Sequence, residues 1–178
     1  MRIITVSAKA QHGKDLAAEI LQEKLKDLGY RVLIIHFADY LKFVCRTYFG
    51  WNGEKDEKGR SLLQYIGTDK IRKHASDFHV DLVIRFLLIF ESDYDYVIIP
   101  DTRFPNEILK PRLFFDVVSL HIERLNFKND LTPEQRLHPT ETALDGYKFD
   151  YYIKSPSGKE FLSQEIDKFI DFLHNAPN

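Results

Sequence analysis

Short apolar runs alternate with amphipathic stretches along the whole chain. Ile3, Ile4 and Val6 fall in a run over residues 2–7 that predicts a buried strand. A loop over 8–13 follows, and Ala17, Leu21, Leu25 and Leu28 then recur at helical spacing, with Gly29 closing that helix. Residues 32–37 predict a second strand, 40–49 a helix, and the polar stretch 50–59 a loop. Two helices are expected between Gly59 and Phe90, the second presenting Leu82, Val83, Phe86, Leu87 and Phe90 on one face. Residues 96–99 predict a third strand running into Pro100-Asp101, with a helix opening near Pro105, and 117–122 predict a fourth strand. Thr132-Pro133-Glu134-Gln135 carries an N-cap threonine, a proline at the first helical position and a reciprocal glutamine, the start of a short helix. A short fifth strand is expected over 151–154, and Leu162, Ile166, Phe169, Ile170 and Leu173 mark a closing amphipathic helix.

Most of these strands are apolar on both faces, and they alternate with helices. That combination predicts a parallel sheet covered on both sides, an α/β fold of three α/β/α layers. Ligands of such sheets bind beyond the carboxyl ends of the strands, so the residues just after each strand are the candidates for chemistry.

Composition narrows the picture. A length of 178 residues suits one domain, and 44% hydrophobic residues with Phe at 14 positions supply an aromatic-rich core. The 25 basic and 27 acidic residues leave a net charge of −2, which argues against a general nucleic-acid or membrane surface, so anion binding must be local. Cys45 is the only cysteine, which excludes an intrachain disulfide and fits a reducing, cytoplasmic location; Cys45 itself reads as a small buried hydrophobe. No apolar run reaches the roughly 18 residues of a spanning helix, and the first strand turns polar too soon for a signal peptide.

After the first strand comes Ala8-Lys9-Ala10-Gln11-His12-Gly13-Lys14-Asp15. The phosphate-loop pattern G-x-x-x-x-G-K-S/T is kept at Gly13 and Lys14, with Ala8 in place of the first glycine and Asp15 in place of the hydroxyl residue. Backbone amides of Ala10 to Leu16 at a helix start would cradle phosphate, and Lys14 would add positive charge. Ala8 is compatible only with a negative φ. Asp15 places a carboxylate where Mg²⁺ is expected, and Asp101, ending the third strand, is a second candidate for the same ion.

Asp101-Thr102-Arg103-Phe104-Pro105-Asn106-Glu107 resembles the D-x-R-F-x-N-E motif of bacteriophage-type deoxynucleoside monophosphate kinases. Gly13-Lys14-Asp15, Phe37-Ala38-Asp39-Tyr40-Leu41-Lys42, the segment from Gly59-Arg60 through Gln64 to Gly67-Thr68-Asp69 with Arg72 following, and His138-Pro139-Thr140-Glu141 resemble further segments of that family in the same order. The chain departs from the family at Ala8, often Gly there, and at Leu16, often Thr or Ser.

The resemblance implies a phosphate-loop nucleoside-triphosphatase fold with a five-stranded parallel sheet, ATP and a deoxynucleoside monophosphate as small-molecule partners, and Mg²⁺ as cofactor. It implies that Lys14 holds the β- and γ-phosphates and that Arg103 and Arg72 clamp the acceptor phosphate, a task that suits guanidinium, although surface ion pairing is the ordinary fate of an arginine. Phe37, Ala38, Asp39, Lys42, Gln64, Gly67, Thr68 and Glu107 would surround the acceptor, with Phe37 equally readable as core. Arg124, Lys128 and Arg136 flank a polar segment, about 125–145, that reads as a lid bringing Arg136 to the transferring group, or else as a solvated face. His138 and Glu141 would support acceptor or lid, with no chemical step assigned. Oligomeric state is left open, a homodimer being one arrangement. Kinases of dephospho-coenzyme A or phosphomevalonate are the nearest alternatives, followed by a non-catalytic nucleotide-binding module. A GTP switch is disfavoured, because Asn126-Phe127-Lys128-Asn129-Asp130 does not supply its N-K-x-D motif.

Overall fold

The computed structural model describes residues 1–54, 56–156 and 158–175. Strands β1 (Arg2–Ala8), β2 (Val32–Ile34), β3 (Tyr96–Ile99), β4 (Asp116–Arg124) and β5 (Tyr151–Ser155) form a sheet in the order β2-β3-β1-β4-β5, and every neighbouring pair is parallel. Parallel strands need crossovers, and helices supply them: α1 (Lys14–Asp27), α2 (Asp39–Tyr48), α3 (Glu57–Gln64), α4 (Phe78–Ile89), the short α5 (Asn106–Leu109), α6 (Pro133–Leu137) and α7 (Pro139–Thr142), with α8 (Lys159–Asn175) closing the chain.

The alternation within β1 divides the core. Ile4 and Val6 face a cluster shared with Ala17, Leu21 and Leu25 of α1 and with Leu162, Ile166 and Phe169 of α8. Ile3 faces the other way, with Val97 and Ile99 of β3, toward Val80, Val83, Ile84 and Leu87 of α4. Helices therefore cover both faces, the three layers that the apolar strands predict. A third, smaller cluster of Leu41, Cys45, Trp51 and Ile66 joins α2 to α3 and to a π-helical turn over Tyr65–Arg72. Cys45 is fully buried there, as a small hydrophobe.

Several local expectations are corrected. β2 ends at Ile34 rather than running to Phe37, because the amides of Phe37 and Ala38 leave the sheet to bond the Asp101 carboxylate, each at 3.0 Å. α3 starts inside the predicted 50–59 loop, at Glu57, where the Asp56 side chain caps it by accepting from the Gly59 amide at 2.7 Å. Leu28 lies past the end of α1 and is exposed, while Gly29 takes the left-handed φ of 91° that stops the helix. α4 buries His79, Val80, Val83, Ile84 and Leu87; Leu82 and Phe86 are each 41% exposed. Nine of the twelve positions of Phe78–Ile89 are apolar, so helical periodicity only weakly selects which face turns inward.

Candidate active site

The carboxyl ends of β1 and β3 open into a cleft of about 590 Å³. Its walls come from the loop before α1, the β2–α2 junction, the π-helical turn, the start of α4, the turn after β3 and the 125–145 segment.

The phosphate loop is built by two left-handed residues, Gln11 at φ 65° and Gly13 at φ 87°. Space is not what requires glycine at residue 13, since a Cβ there would meet nothing within 4 Å; the backbone conformation is. Ala8 belongs to β1 and is absent from the positive-φ residues, so its replacement of glycine is without strain. Lys14 opens α1, lines the cleft and pairs with Asp15 at 2.5 Å. Burial lowers the Lys14 pKa, opposed by the Asp15 carboxylate. A largely buried ammonium at a helix N-terminus is a ready partner for phosphate. Ala10, Gln11 and Asp15 also line the cleft, whereas His12, Gly13 and Leu16 are not among the lining side chains. His12 is turned to structure: its Nδ1 accepts from the Arg124 amide at 2.9 Å, and Phe127 meets both its ring edge and the Arg124 guanidinium.

The turn after β3 is held by Glu107, 3% exposed. One carboxylate oxygen accepts from the amides of Arg103 and Phe104 at 2.6 and 3.0 Å, and the other pairs with Arg72 at 2.5 Å. Burial pushes Glu107 up to about 7, with Arg72 and the two amides acting the other way. Arg72 further donates to the Ser76 carbonyl at 3.0 Å and to Asn106 Oδ1 at 3.1 Å, and lies 3.8 Å above the Phe104 ring. Its guanidinium is thus oriented on all sides at the cleft wall. Arg103 uses Nη1 for the Ala8 carbonyl at 3.0 Å and the Glu141 carboxylate at 2.8 Å, and also reaches the Thr140 carbonyl. Its Nε and Nη2 make no hydrogen bond among the described residues.

Asp101 joins two walls, since its oxygens accept from Phe37 and Ala38 while it lines the cleft beside Asp15. Both readings of Phe37 meet here: the residue is core and also lines the cleft. Ala38, Lys42, Gln64, Gly67 and Thr68 line the same wall. Asp39 does not; it accepts from the His36 amide and from Lys42 at 3.0 and 3.1 Å and so holds Lys42 in position.

The 125–145 segment sits on the phosphate loop. Glu141 accepts from the Ala10 amide at 3.0 Å, Lys9 bonds the Glu141 carbonyl and Asp145, and Gln11 and Asp130 exchange reciprocal bonds at 3.1 Å. Thr132 and Gln135 form the capping box that their spacing predicts. Arg136 lies outside the lining residues and donates to Asn129, at 2.9 Å to its carbonyl. His138 caps α7 by accepting from the Thr140 amide at 3.2 Å. Lys128 is exposed and does not line the cleft.

Sequence reasoning overlooked Ile34, His36, Leu63, Phe104, Leu131, Gln135 and His79, all lining residues. Most sit within or beside motifs already noted, but nothing local distinguishes His79 from its apolar neighbours in α4.

Among the described residues no group of three or more His, Cys, Asp or Glu side chains is arranged to hold a metal. Mg²⁺ bound to nucleotide is usually held by one or two carboxylates together with phosphate and water, and Asp15 with Asp101 on one cleft matches that donor set.

No protein-family model and no curated protein matches the chain. Solved structures do. An APS kinase mutant from Mycobacterium tuberculosis aligns over 98% of this chain and 97% of its own, at 9% identity and a TM-score of 0.52. Shikimate kinase from Bacteroides thetaiotaomicron aligns over 97% of this chain and 98% of its own, at 12% identity and a TM-score of 0.53. Shikimate kinase from Aquifex aeolicus aligns over 99% and 100%, at 12% identity and a TM-score of 0.52. At such identity the likeness speaks for the fold. The chain has the α/β phosphate-loop nucleoside-triphosphatase fold, shared with these APS and shikimate kinases. No described helix is long and apolar enough to cross a membrane.

Proposed function

We propose that the protein transfers the γ-phosphate of ATP to a deoxynucleoside monophosphate. The observation that carries this reading is the convergence on one cleft of Lys14, of Gln64, Gly67, Thr68 and Arg72, of Asp101 and Arg103, and of Glu141. These belong to separate segments, and each segment resembles a motif of the same kinase family.

Phosphoryl transfer needs positioning and neutralisation of charge more than covalent help. In this reading, Lys14 and the amides around the start of α1 hold the ATP phosphates. Arg103 offers Nε and Nη2 to the acceptor phosphate, while its Nη1 is anchored to Ala8 and Glu141. Arg72, fixed by Glu107 and Phe104 against the same turn, adds a second positive charge. The attacking phosphate oxygen is already anionic, so no general base is required. Asp15 and Asp101 would hold Mg²⁺, which supplies charge neutralisation at the β- and γ-phosphates. The 125–145 segment, seated on the phosphate loop, would exclude water.

A second reading draws on the solved structures: phosphorylation of an alcohol, as the names of the APS and shikimate kinases imply for those proteins. A coupled ADP-release assay separates the two. With MgATP, each ribo- and deoxyribonucleoside monophosphate is tested beside shikimate, APS, dephospho-coenzyme A and phosphomevalonate. Turnover with at least one deoxynucleoside monophosphate is expected. Turnover only with one of the others moves the assignment to that substrate class, and ADP release with none leaves a nucleotide-binding module.

A further inference from the structure

His79 stands at the start of α4 with neither ring nitrogen paired. The residue is 6% exposed, and both Nδ1 and Nε2 are buried without a hydrogen-bond partner. It nonetheless lines the cleft. A buried polar group in this condition is destabilising unless something pairs with it, and native structures rarely leave one so. The turn that carries it is held in place, because Asn106 bonds the Ser76 carbonyl and Asp77 at 3.1 and 2.7 Å, and Lys110 bonds Asp77 at 2.9 Å.

The chemistry of the missing partner follows from the ring and its surroundings. Burial, reinforced by the Arg72 charge, keeps the imidazole neutral, with Asp101 acting weakly in the opposite sense. A neutral imidazole offers one donor and one acceptor. A phosphate dianion only accepts, and Arg72 and Arg103 already serve that end of the cleft. A hydroxyl both donates and accepts, so it satisfies whichever nitrogen faces it. The charges that act on His79 are those of Arg72 and Asp101, the residues around the acceptor phosphate in the reading above. In that reading the deoxyribose is one ester bond from the phosphate, and its 3′-hydroxyl is the alcohol that an ordinary deoxynucleoside monophosphate offers.

We propose that His79 is a specificity residue that hydrogen-bonds the 3′-hydroxyl of the acceptor's deoxyribose. This rests on the deoxynucleoside monophosphate reading of the same cleft.

The test compares the best deoxynucleoside monophosphate of the panel with its 2′,3′-dideoxy counterpart, at saturating MgATP. Wild-type kcat/KM should favour the 3′-hydroxyl compound by about tenfold or more, the worth of one hydrogen bond whose loss strands a buried group. In His79→Phe the preference should shrink toward unity, and His79→Gln, which keeps a donor and an acceptor, should retain more of it. Equal wild-type turnover of both compounds, or an undiminished preference in a folded His79→Phe, overturns the proposal while leaving the kinase reading intact. A binding measurement covers the case in which the variants do not fold. The imidazole nitrogen resonances of His79 in the wild-type protein are followed during titration with each compound, without ATP. A shift with the hydroxyl compound that is absent with the dideoxy compound supports the contact. Identical responses to both overturn it. Neither binding nor turnover of any nucleoside monophosphate overturns this proposal and the functional reading together.

Discussion

At the scale of single residues, the arginines of the cleft differ in what already holds them. Arg72 is bonded to Ser76, Asn106 and Glu107, so it acts as an oriented charge. Arg103 is anchored through Nη1 alone. A charge-assisted hydrogen bond is worth about 1.5–3 kcal/mol, and a contact made equally in ground and transition states appears in KM. Arg103→Ala is therefore expected to raise the acceptor KM about tenfold or more. Arg136 bonds only the neighbouring Asn129 among the contacts described, and Arg136→Ala should leave that KM unchanged, with any effect confined to kcat. Steady-state kinetics of both variants, after circular dichroism has shown them folded, provides the check. An unchanged KM in Arg103→Ala removes it from the acceptor site. Glu107 reads from its motif as a substrate contact; it lines the cleft, and its bonds to Arg72 and to two backbone amides also shape the turn that carries Arg103.

At the scale of elements, the cleft wall formed by α3 depends on a close approach at Gly59. This glycine sits inside α3 rather than in a loop, and a Cβ there would lie 2.1 Å from the Glu54 carbonyl and 2.7 Å from Trp51 Nε1. Trp51 Nε1 itself donates to that carbonyl at 2.8 Å, so the two neighbours are locked together. Gly67 in the π-helical turn is also tight, 2.6 Å from Leu41 Cδ2, but that contact is the end of a side chain that can move. Overpacking typically costs about 1–3 kcal/mol when the surroundings cannot yield. Gly59→Ala should lose stability in that range, and Gly67→Ala less, as read from urea unfolding midpoints. A Gly59→Ala protein as stable as wild type would mean that Trp51 and the Glu54 carbonyl are free to shift. π-helical turns recur at functional sites, and this one carries Gly67, Thr68 and Arg72 to the cleft.

At the scale of the whole molecule, buried titratable groups in the cleft couple its chemistry to stability. His79 falls from an ordinary pKa of 6.5 to about 4 in the folded protein, chiefly through burial. As pH drops through 6.5 the unfolded chain takes up a proton that the folded chain refuses until about 4. Stability from His79 is thus fully present above 6.5 and declines across that window by about 3 kcal/mol, at 1.36 kcal/mol per pKa unit. Glu107 opposes it: with a folded value near 7 against an ordinary 4.5, the folded state holds its proton first, and stability from this group grows as pH falls from 7 to 4.5. The wild-type curve mixes both, so the difference between wild type and His79→Phe isolates the histidine. Between pH 7 and pH 4 the wild type should lose about 3 kcal/mol relative to the variant in urea titrations. Parallel curves for the two proteins would mean that His79 is solvated in the folded state.

Much of the architecture is legible in the sequence because it is decided by near neighbours. Strand-sized apolar runs, the 3.6-residue recurrence in α1 and α8, the Thr132–Gln135 capping box and the glycine that stops α1 are all local, and they appear near where the pattern predicts, with β2 ending early at Ile34 and Leu28 falling past the end of α1. The motif residues that line the cleft are likewise readable, as separate short strings. Their convergence is not. Asp101 reaches back 64 residues to Phe37, Glu141 reaches Arg103 across 38, and Arg72 reaches Glu107 across 35. These bonds shorten β2, seat the 125–145 segment on the phosphate loop and tie Glu107 to Arg72 across the cleft wall. The inward face of α4 was also left to the tertiary structure, because a helix apolar at nine of twelve positions has only a weakly preferred side until a sheet is laid against it. His79 follows from that choice: only the docking of α4 brings an imidazole, indistinct in sequence, into the wall of the cleft without a partner.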